Sequence, residues 1–308
     1  MRLLSKTLLI SLLATFVFTS QAVLAKFTSL TNFGDNPGEL TASYYPSKSD
    51  NLVVLLHGCV QNGEELAEQS GFLGLAKSNN FTLLVPQQNE NNNIKTCFNW
   101  FSPQDIDKDQ GETLSLKNMI LHTKAETKAE NVYIVGLSAG GAMASVMLVN
   151  YPELFESGAI IAGVPFPCAN NLIKAIACMR SGPSQTPTEL TDLVQKANPK
   201  QQNWPTLTIW TGNEDKVVHP LNSHVLAQHW AILNQITSTP VVERKQGYQI
   251  SKWLDQENNA RVKLIEIEDM GHGISVNPTA ENGGKEAAFI IKAPLAAAKS
   301  IVNYWKLN

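Results

Sequence analysis

Apolar residues in this chain fall mostly in short unbroken runs rather than in alternation. The runs are Leu52-Val53-Val54-Leu55-Leu56, Phe81-Thr82-Leu83-Leu84-Val85-Pro86, Val132-Tyr133-Ile134-Val135, Gly158-Ala159-Ile160-Ile161-Ala162-Gly163, Leu207-Thr208-Ile209-Trp210 and Val262-Lys263-Leu264-Ile265-Glu266-Ile267. Runs this short and rich in Val and Ile predict strands buried on both faces. Helical patterns lie between them. One runs from a capping pair, Asn62 and Glu65, to about Lys77, and others span Leu114 to Thr127, Ala142 to Asn150 and Pro220 to Leu233. A closing helix is predicted from Glu286 to Trp305. A polar loop rich in Asn and Gln covers 87–112, and 164–204 reads as irregular. Strands alternating with helices predict an α/β protein whose mainly parallel sheet is flanked by helices on both faces. Active sites of such sheets lie beyond the carboxyl ends of the strands.

One strand end carries a distinctive hexapeptide, Gly136-Leu137-Ser138-Ala139-Gly140-Gly141, with a small-residue helix directly after it. Strand, Gly-x-Ser-x-Gly, helix is the setting of a nucleophile elbow, where a tight turn exposes a serine hydroxyl above the sheet. A serine is a poor nucleophile until a base takes its proton, and the base needs an acid to orient it. The order expected after such a serine is acid, then histidine. The strand ending at Trp210 leads into Gly212-Asn213-Glu214-Asp215, which makes Asp215 the expected acid, with Glu214 as its rival. The last strand leads into Met270-Gly271-His272-Gly273, which makes His272 the expected base. His219, His224 and His229 lie on or beside one helix at intervals of five, off a common face, and read as solvated or locally bonded residues. Two backbone N–H groups should receive the oxyanion. Ala139, next to the serine, supplies one, and Cys59, in the loop His57-Gly58-Cys59 after an early strand, supplies the other.

The N-terminus changes where this chemistry would take place. Arg2 and Lys6 precede an apolar stretch from Leu8 to Phe18, and Ala22-Val23-Leu24-Ala25 offers cleavage after Ala25 or after Ala22. That is the pattern of a secretory signal peptide over residues 1–25, leaving one catalytic domain over 26–308. The apolar stretch is short of the ~20 residues that span a bilayer, so no membrane anchor is expected after processing. Export makes disulfides permissible for the four cysteines, which allow three pairings. Cys168 and Cys178 are close enough in sequence to staple a loop, which would leave Cys59 with Cys97. A free buried thiol at Cys59 is the alternative. No tight Cys/His spacing suggests zinc, and neither a metal nor a cofactor is expected. With a formal charge of −3 and no basic run, the 308-residue chain is a poor nucleic-acid partner.

Five segments together resemble the polyhydroxybutyrate depolymerase family of esterases. They are Leu56-His57-Gly58-Cys59-Val60-Gln61, Cys97-Phe98-Asn99-Trp100-Phe101, Gly136 to Met143, Gly212 to Val218, and Gly271-His272-Gly273. The resemblance implies an α/β-hydrolase fold, a triad of Ser138, Asp215 and His272, and an oxyanion amide from Cys59. It implies a secreted esterase of short-chain hydroxyalkanoate esters, polymer or oligomer. The family is close to feruloyl and acetylxylan esterases, which is the alternative reading, and a non-catalytic hydrolase-fold binding module is the third. Trp100 and Phe101 are candidates for an apolar acyl-binding wall, against the alternative of core packing. Phe98 and Ile274 stand where the family often has tryptophan, and both positions are expected to form subsite walls. No Thr/Pro-rich linker divides the chain, so amorphous polymer, oligomers and small soluble esters are all expected substrates.

Overall fold

A computed structural model describes residues 27–307. The predicted leader, residues 1–25, lies outside the described residues. Ten strands form one sheet: β1 (Thr28–Ser29), β2 (Thr41–Tyr45), β3 (Asn51–Leu56), β4 (Thr82–Gln87), β5 (Asn131–Leu137), β6 (Ser157–Ile161), β7 (Thr206–Gly212), β8 (Val241–Lys245), β9 (Tyr248–Leu254) and β10 (Ala260–Ile267). Their order across the sheet is β1-β2-β4-β3-β5-β6-β7-β10-β9-β8. From β4 to β10 every neighbouring pair is parallel. β1 and β2 extend one edge, and β9 and β8 the other, by antiparallel pairing. Two short parallel strands, β11 (Ile274–Val276) and β12 (Ile290–Lys292), pair beside the sheet. This is the α/β-hydrolase arrangement, with antiparallel strands added at both edges.

The six parallel strands are those that read as apolar runs, and the two cores explain why. On β3, Leu52, Val54 and Leu56 face one cluster, while Val53 and Leu55 face the other. Each such side chain is fully buried, worth about 1.5–3 kcal/mol apiece. Helices α1 (Gly63–Gln69), α2 (Phe72–Asn79), α3 (Pro103–Ile106), α4 (Gly111–Thr127), α5 (Ala139–Asn150), α6 (Leu172–Ser181), α7 (Pro187–Ala197), α8 (Leu221–Leu233) and α9 (Ala297–Tyr304) accompany the sheet. Met119 of α4, Met143 of α5 and Trp230 of α8 fill one face, and Leu66 of α1, Phe72 of α2 and Ile301 of α9 fill the other.

Four expected segments differ, the first being the polar loop 87–112, which carries α3 and the start of α4. The helix expected from Asn62 to Lys77 is two helices, because Gly71 takes a left-handed φ of 94° between them. Asn62 does cap the first, accepting from the Glu65 N–H at 3.0 Å. The closing helix is only α9, since Pro294 cannot donate to a helical ladder and the residues before it form β12. The segment 164–204 is not irregular, as it carries α6 and α7. A Thr186/Glu189 capping box and Pro187 at the first turn begin α7.

Candidate active site

Ser138 sits between β5 and α5 with φ 56° and ψ −118°, a conformation that costs on the order of 1–3 kcal/mol and persists only when its surroundings enforce it. The Ser138 N–H donates to the Ile161 carbonyl at 2.9 Å, tying the turn to β6. A Cβ on Gly136 would overlap the Gly140 carbonyl, and one on Gly140 would overlap the backbone of Leu56 and His57. The two glycines of the motif are therefore required by contact. α5 is buried along its whole length, and its small first residues let it approach the sheet closely.

Three strand ends meet at this serine. His272, after β10, has Nε2 2.8 Å from Ser138 Oγ and Nδ1 2.7 Å from Asp215 Oδ2. A carboxylate only accepts, so the ring proton belongs on Nδ1 and Nε2 is free to accept the serine proton. Asp215 follows β7, and its side chain is closed off from solvent. Its second oxygen, Oδ1, accepts the N–H groups of Val217 and Val218 at 2.8 and 2.9 Å. Glu214 is exposed and is not the partner of His272. Phe289, which sequence reasoning put inside a helix, stands edge-on to His272 with ring centres 6.1 Å apart. It is 40 % exposed with φ 61°, and a turn ahead of β12 brings it there.

Where the sequence places the oxyanion donors, the groups present are backbone N–H groups. In the run 58–60, the Gly58 N–H donates to Gln61 Oε1 at 2.8 Å and the Val60 N–H to the Lys95 carbonyl at 2.7 Å. The Cys59 N–H between them has no partner among the described residues, and neither has the Ala139 N–H at the start of α5. The α5 terminus adds its dipole in the direction that favours an anion. Cys59 and Cys97 are disulfide-bonded, as are Cys168 and Cys178, and no described cysteine is free.

Behind this loop lies a buried polar cluster that the sequence did not reveal. Glu112, at the start of α4 and fully buried, accepts from Gln88 Nε2 at 2.6 Å, from Asn99 Nδ2 at 2.8 Å and from the Asn99 N–H at 2.9 Å. Burial, with the nearby Asp105 charge, pushes its carboxyl up to about 8 against these donors. The long polar loop is thus stitched to α4 from within.

The expected subsite residues lie differently. Phe98 is buried and packs on His57, with ring centres 5.0 Å apart, and Ile274 is buried in β11, so neither is a wall of an open site. Trp100 is in the core, and Phe101 stands half-buried and edge-on against it at 5.4 Å. His219 Nδ1 accepts from the Leu221 N–H, and His224 pairs with Glu266 at 3.0 Å. His229 is not a solvated helix residue but a fully buried one. Among the described residues, no group of three or more His, Cys, Asp or Glu could hold a metal ion. No described helix is long and apolar enough to cross a membrane.

Residues 44–248 match the family model described as esterase PHB depolymerase. The chain belongs to this family. The poly(3-hydroxyalkanoate) depolymerase C of Paucimonas lemoignei is 34 % identical, over 98 % of this chain and 75 % of its own length. Feruloyl esterase B of Talaromyces stipitatus is 27 % identical over 70 % of this chain and 63 % of its own, so the chain spans under two thirds of that relative. Among solved structures, the acetyl xylan esterase from Aspergillus awamori superposes with a TM-score of 0.77 at 19 % identity. That match covers 92 % of this chain and all of the other, and it shows the shared fold. As a member of the esterase PHB depolymerase family, the chain is a carboxylic ester hydrolase.

Proposed function

We propose that this chain is an exported serine esterase that cleaves short-chain hydroxyalkanoate esters through an acyl-enzyme on Ser138. The observation that carries the reading is the unbroken relay from Ser138 Oγ through His272 to Asp215, beside two unpartnered amide N–H groups. Ser138 Oγ gives its proton to His272 Nε2 and bonds to the ester carbonyl carbon. The carbonyl oxygen becomes an oxyanion held by the Cys59 and Ala139 N–H groups, each worth about 2.7–4 kcal/mol in that state. The intermediate collapses as the ester C–O bond breaks, and the leaving alkoxide takes the proton from Nε2. Water then gives a proton to Nε2 and attacks the acyl carbon, and Ser138 leaves with that proton. Asp215, held by two backbone donors, stabilises the imidazolium in both halves.

The hydroxyalkanoate preference rests on the 34 % identical relative, and export on the N-terminal pattern together with two disulfides. Phe101 keeps a partly open face and is the remaining aromatic candidate for the acyl wall, with Trp100 as its support. The second reading, a feruloyl or acetylxylan esterase, is favoured by the further relatives. A panel of polyhydroxybutyrate, its oligomers, feruloyl esters and acetyl esters, run beside Ser138→Ala, separates the two. Turnover of the oligomers that vanishes in Ser138→Ala is expected. Faster feruloyl or acetyl turnover would shift the substrate assignment, and undiminished turnover by Ser138→Ala would overturn the mechanism.

A further inference from the structure

Phe289 is an aromatic residue in a backbone conformation that disfavours one. The Ala287 N–H donates to the Ile290 carbonyl at 3.1 Å and the Ile290 N–H to the Ala287 carbonyl at 3.0 Å, closing a two-residue turn over Ala288 and Phe289. Phe289 takes φ 61° in that turn. Glycine and asparagine dominate such positions, because a bulky side chain at positive φ crowds its own backbone. Residues held this way persist only where their surroundings enforce them, and they gather at functional sites.

The surroundings here are those of the catalytic histidine. The Ile274 N–H donates to the Phe289 carbonyl at 2.9 Å, and β11 pairs with β12 directly beyond. A Cβ on Gly273 would stand 2.5 Å from the same carbonyl oxygen, so a glycine after His272 is what lets the turn approach. The Phe289 ring ends edge-on to His272 and remains exposed, while the His272 side chain is nearly closed off. A Cβ on Gly271 would meet nothing within 4 Å, so the backbone just before the histidine borders open space.

Sheet order relates this space to the ester. Ser138 follows β5. The loops after β3 and β4, with Cys59, Trp100 and Phe101, lie on one flank of it, and those after β7 and β10, with Asp215 and His272, on the other. Phe289 belongs to the second flank through its contact with His272. His272 Nε2 gives its proton to the leaving alkoxide, so the alcohol oxygen and the carbon that bears it come against the imidazole. The flank of Phe101 is then left to the acyl group.

We propose that Phe289 is the apolar wall of a leaving-group subsite, selecting esters whose alcohol carries an alkyl branch on the carbon bonded to the ester oxygen. The proposal rests on the Ser138–His272 reading given above and deepens it. In a hydroxyalkanoate chain that alcohol is the next 3-hydroxyacyl unit, and its alkyl branch stands on that carbon. The ring meets the branch, and the product alcohol departs past it.

The two halves of the reaction separate such a wall from a mere support for the imidazole. The alcohol is present during acylation and gone during deacylation, whereas His272 acts in both. Phe289→Asn removes the ring and keeps a residue that tolerates left-handed φ. Its kcat/KM for sec-butyl butyrate should fall about 10-fold, and that for methyl butyrate should stay within about twofold. Hydrolysis of the butyryl-enzyme, read after a p-nitrophenyl butyrate burst, should keep the parental rate. Equal losses for the two esters, or slower deacylation, would overturn the proposal by assigning Phe289 to holding His272. Parental values throughout would overturn it as well. Should the variant not fold, partition of the parent's butyryl-enzyme between water and added alcohol decides. Capture by 2-butanol should saturate while capture by methanol rises linearly, and linear capture by both sinks the idea. Ser138→Ala keeps the two readings apart. If it retains turnover, the site reading itself falls. If it is dead while Phe289→Asn does not discriminate between the esters, only the subsite falls.

Discussion

The loop after β3 and the α7–α8 helix pair each bury a histidine, and burial pushes both rings down to a pKa of about 4. His57, in the loop, has both nitrogens engaged, one by a donor and one by an acceptor. His229, on α8, meets Thr191 Oγ1 of α7 at 3.0 Å through Nδ1, while its Nε2 has no partner among the described residues. Equal burial therefore serves two ends. The first ring connects two strand ends beside Ser138. The second fills space edge-on to Trp230, at a cost of one unmet polar atom. The cross-links divide in the same way. Cys59–Cys97 spans 38 residues and joins the loop after β3 to the polar loop that carries Asn99, whereas Cys168–Cys178 spans 10 and staples a segment around α6.

The comparison breaks most visibly at the longer cross-link. Cys59→Ser with Cys97→Ser should cost about 4 kcal/mol by the chain-entropy estimate and lower kcat at least ~10-fold, read by urea midpoint and ester turnover. Cys168→Ser with Cys178→Ser should cost about 3 kcal/mol and leave kcat on a small ester within about twofold. Equal losses of kcat in the two pairs would erase the distinction.

Glu112 tests the cluster through pH. Its folded pKa, raised to about 8, exceeds the unfolded value, so the folded state holds the proton more tightly. The stability it contributes is fully present below about 4.5 and is lost as pH rises through 8, at no more than ~1.4 kcal/mol per pH unit. Glu112→Gln should lack that decline in urea titrations at pH 5, 7 and 9. The smallest effect belongs to His229. Its lowered pKa means that the unfolded chain takes up the proton first, so stability is lost as pH falls from 6.5 to about 4. His229→Leu should make that acid decline shallower and change stability at pH 7 by about 1 kcal/mol or less. A loss of several kcal/mol would show that the ring matters more than its contacts suggest.

What the sequence made legible follows the same division. Strands β3 to β7 and β10 announced themselves because both faces are buried, which leaves continuous apolar runs. β8 did not, since Val241-Val242-Glu243-Arg244-Lys245 is an exposed edge whose pattern resembles a loop, and β9 did not, since it is mostly half-buried. Ser138, Asp215 and His272 were readable because each follows a strand and two lie in glycine-marked turns. Glu112 and Gln88 were not, because a buried polar cluster has no spacing rule, and its members come from the residue after β4, the polar loop and α4. Phe98 and Ile274 were misjudged because an aromatic or aliphatic side chain in a motif looks the same whether it lines a cavity or packs behind it. The Thr186/Glu189 capping box was present to be read, and with Pro187 it would have revealed α7.

The parallel order of the sheet has a kinetic consequence. His272 is hydrogen-bonded to Ser138 across 134 residues of chain and to Asp215 across 57. Such separations must be closed before the contacts they bring can repay the lost chain entropy, which makes long-range parallel pairing slow. Serine, acid and histidine follow β5, β7 and β10, and in the sheet β6 lies between β5 and β7 while β10 pairs with β7. Helical signal in refolding should therefore return ahead of esterase turnover. Enzymatic activity is in this sense a clock for closing the longest of these loops.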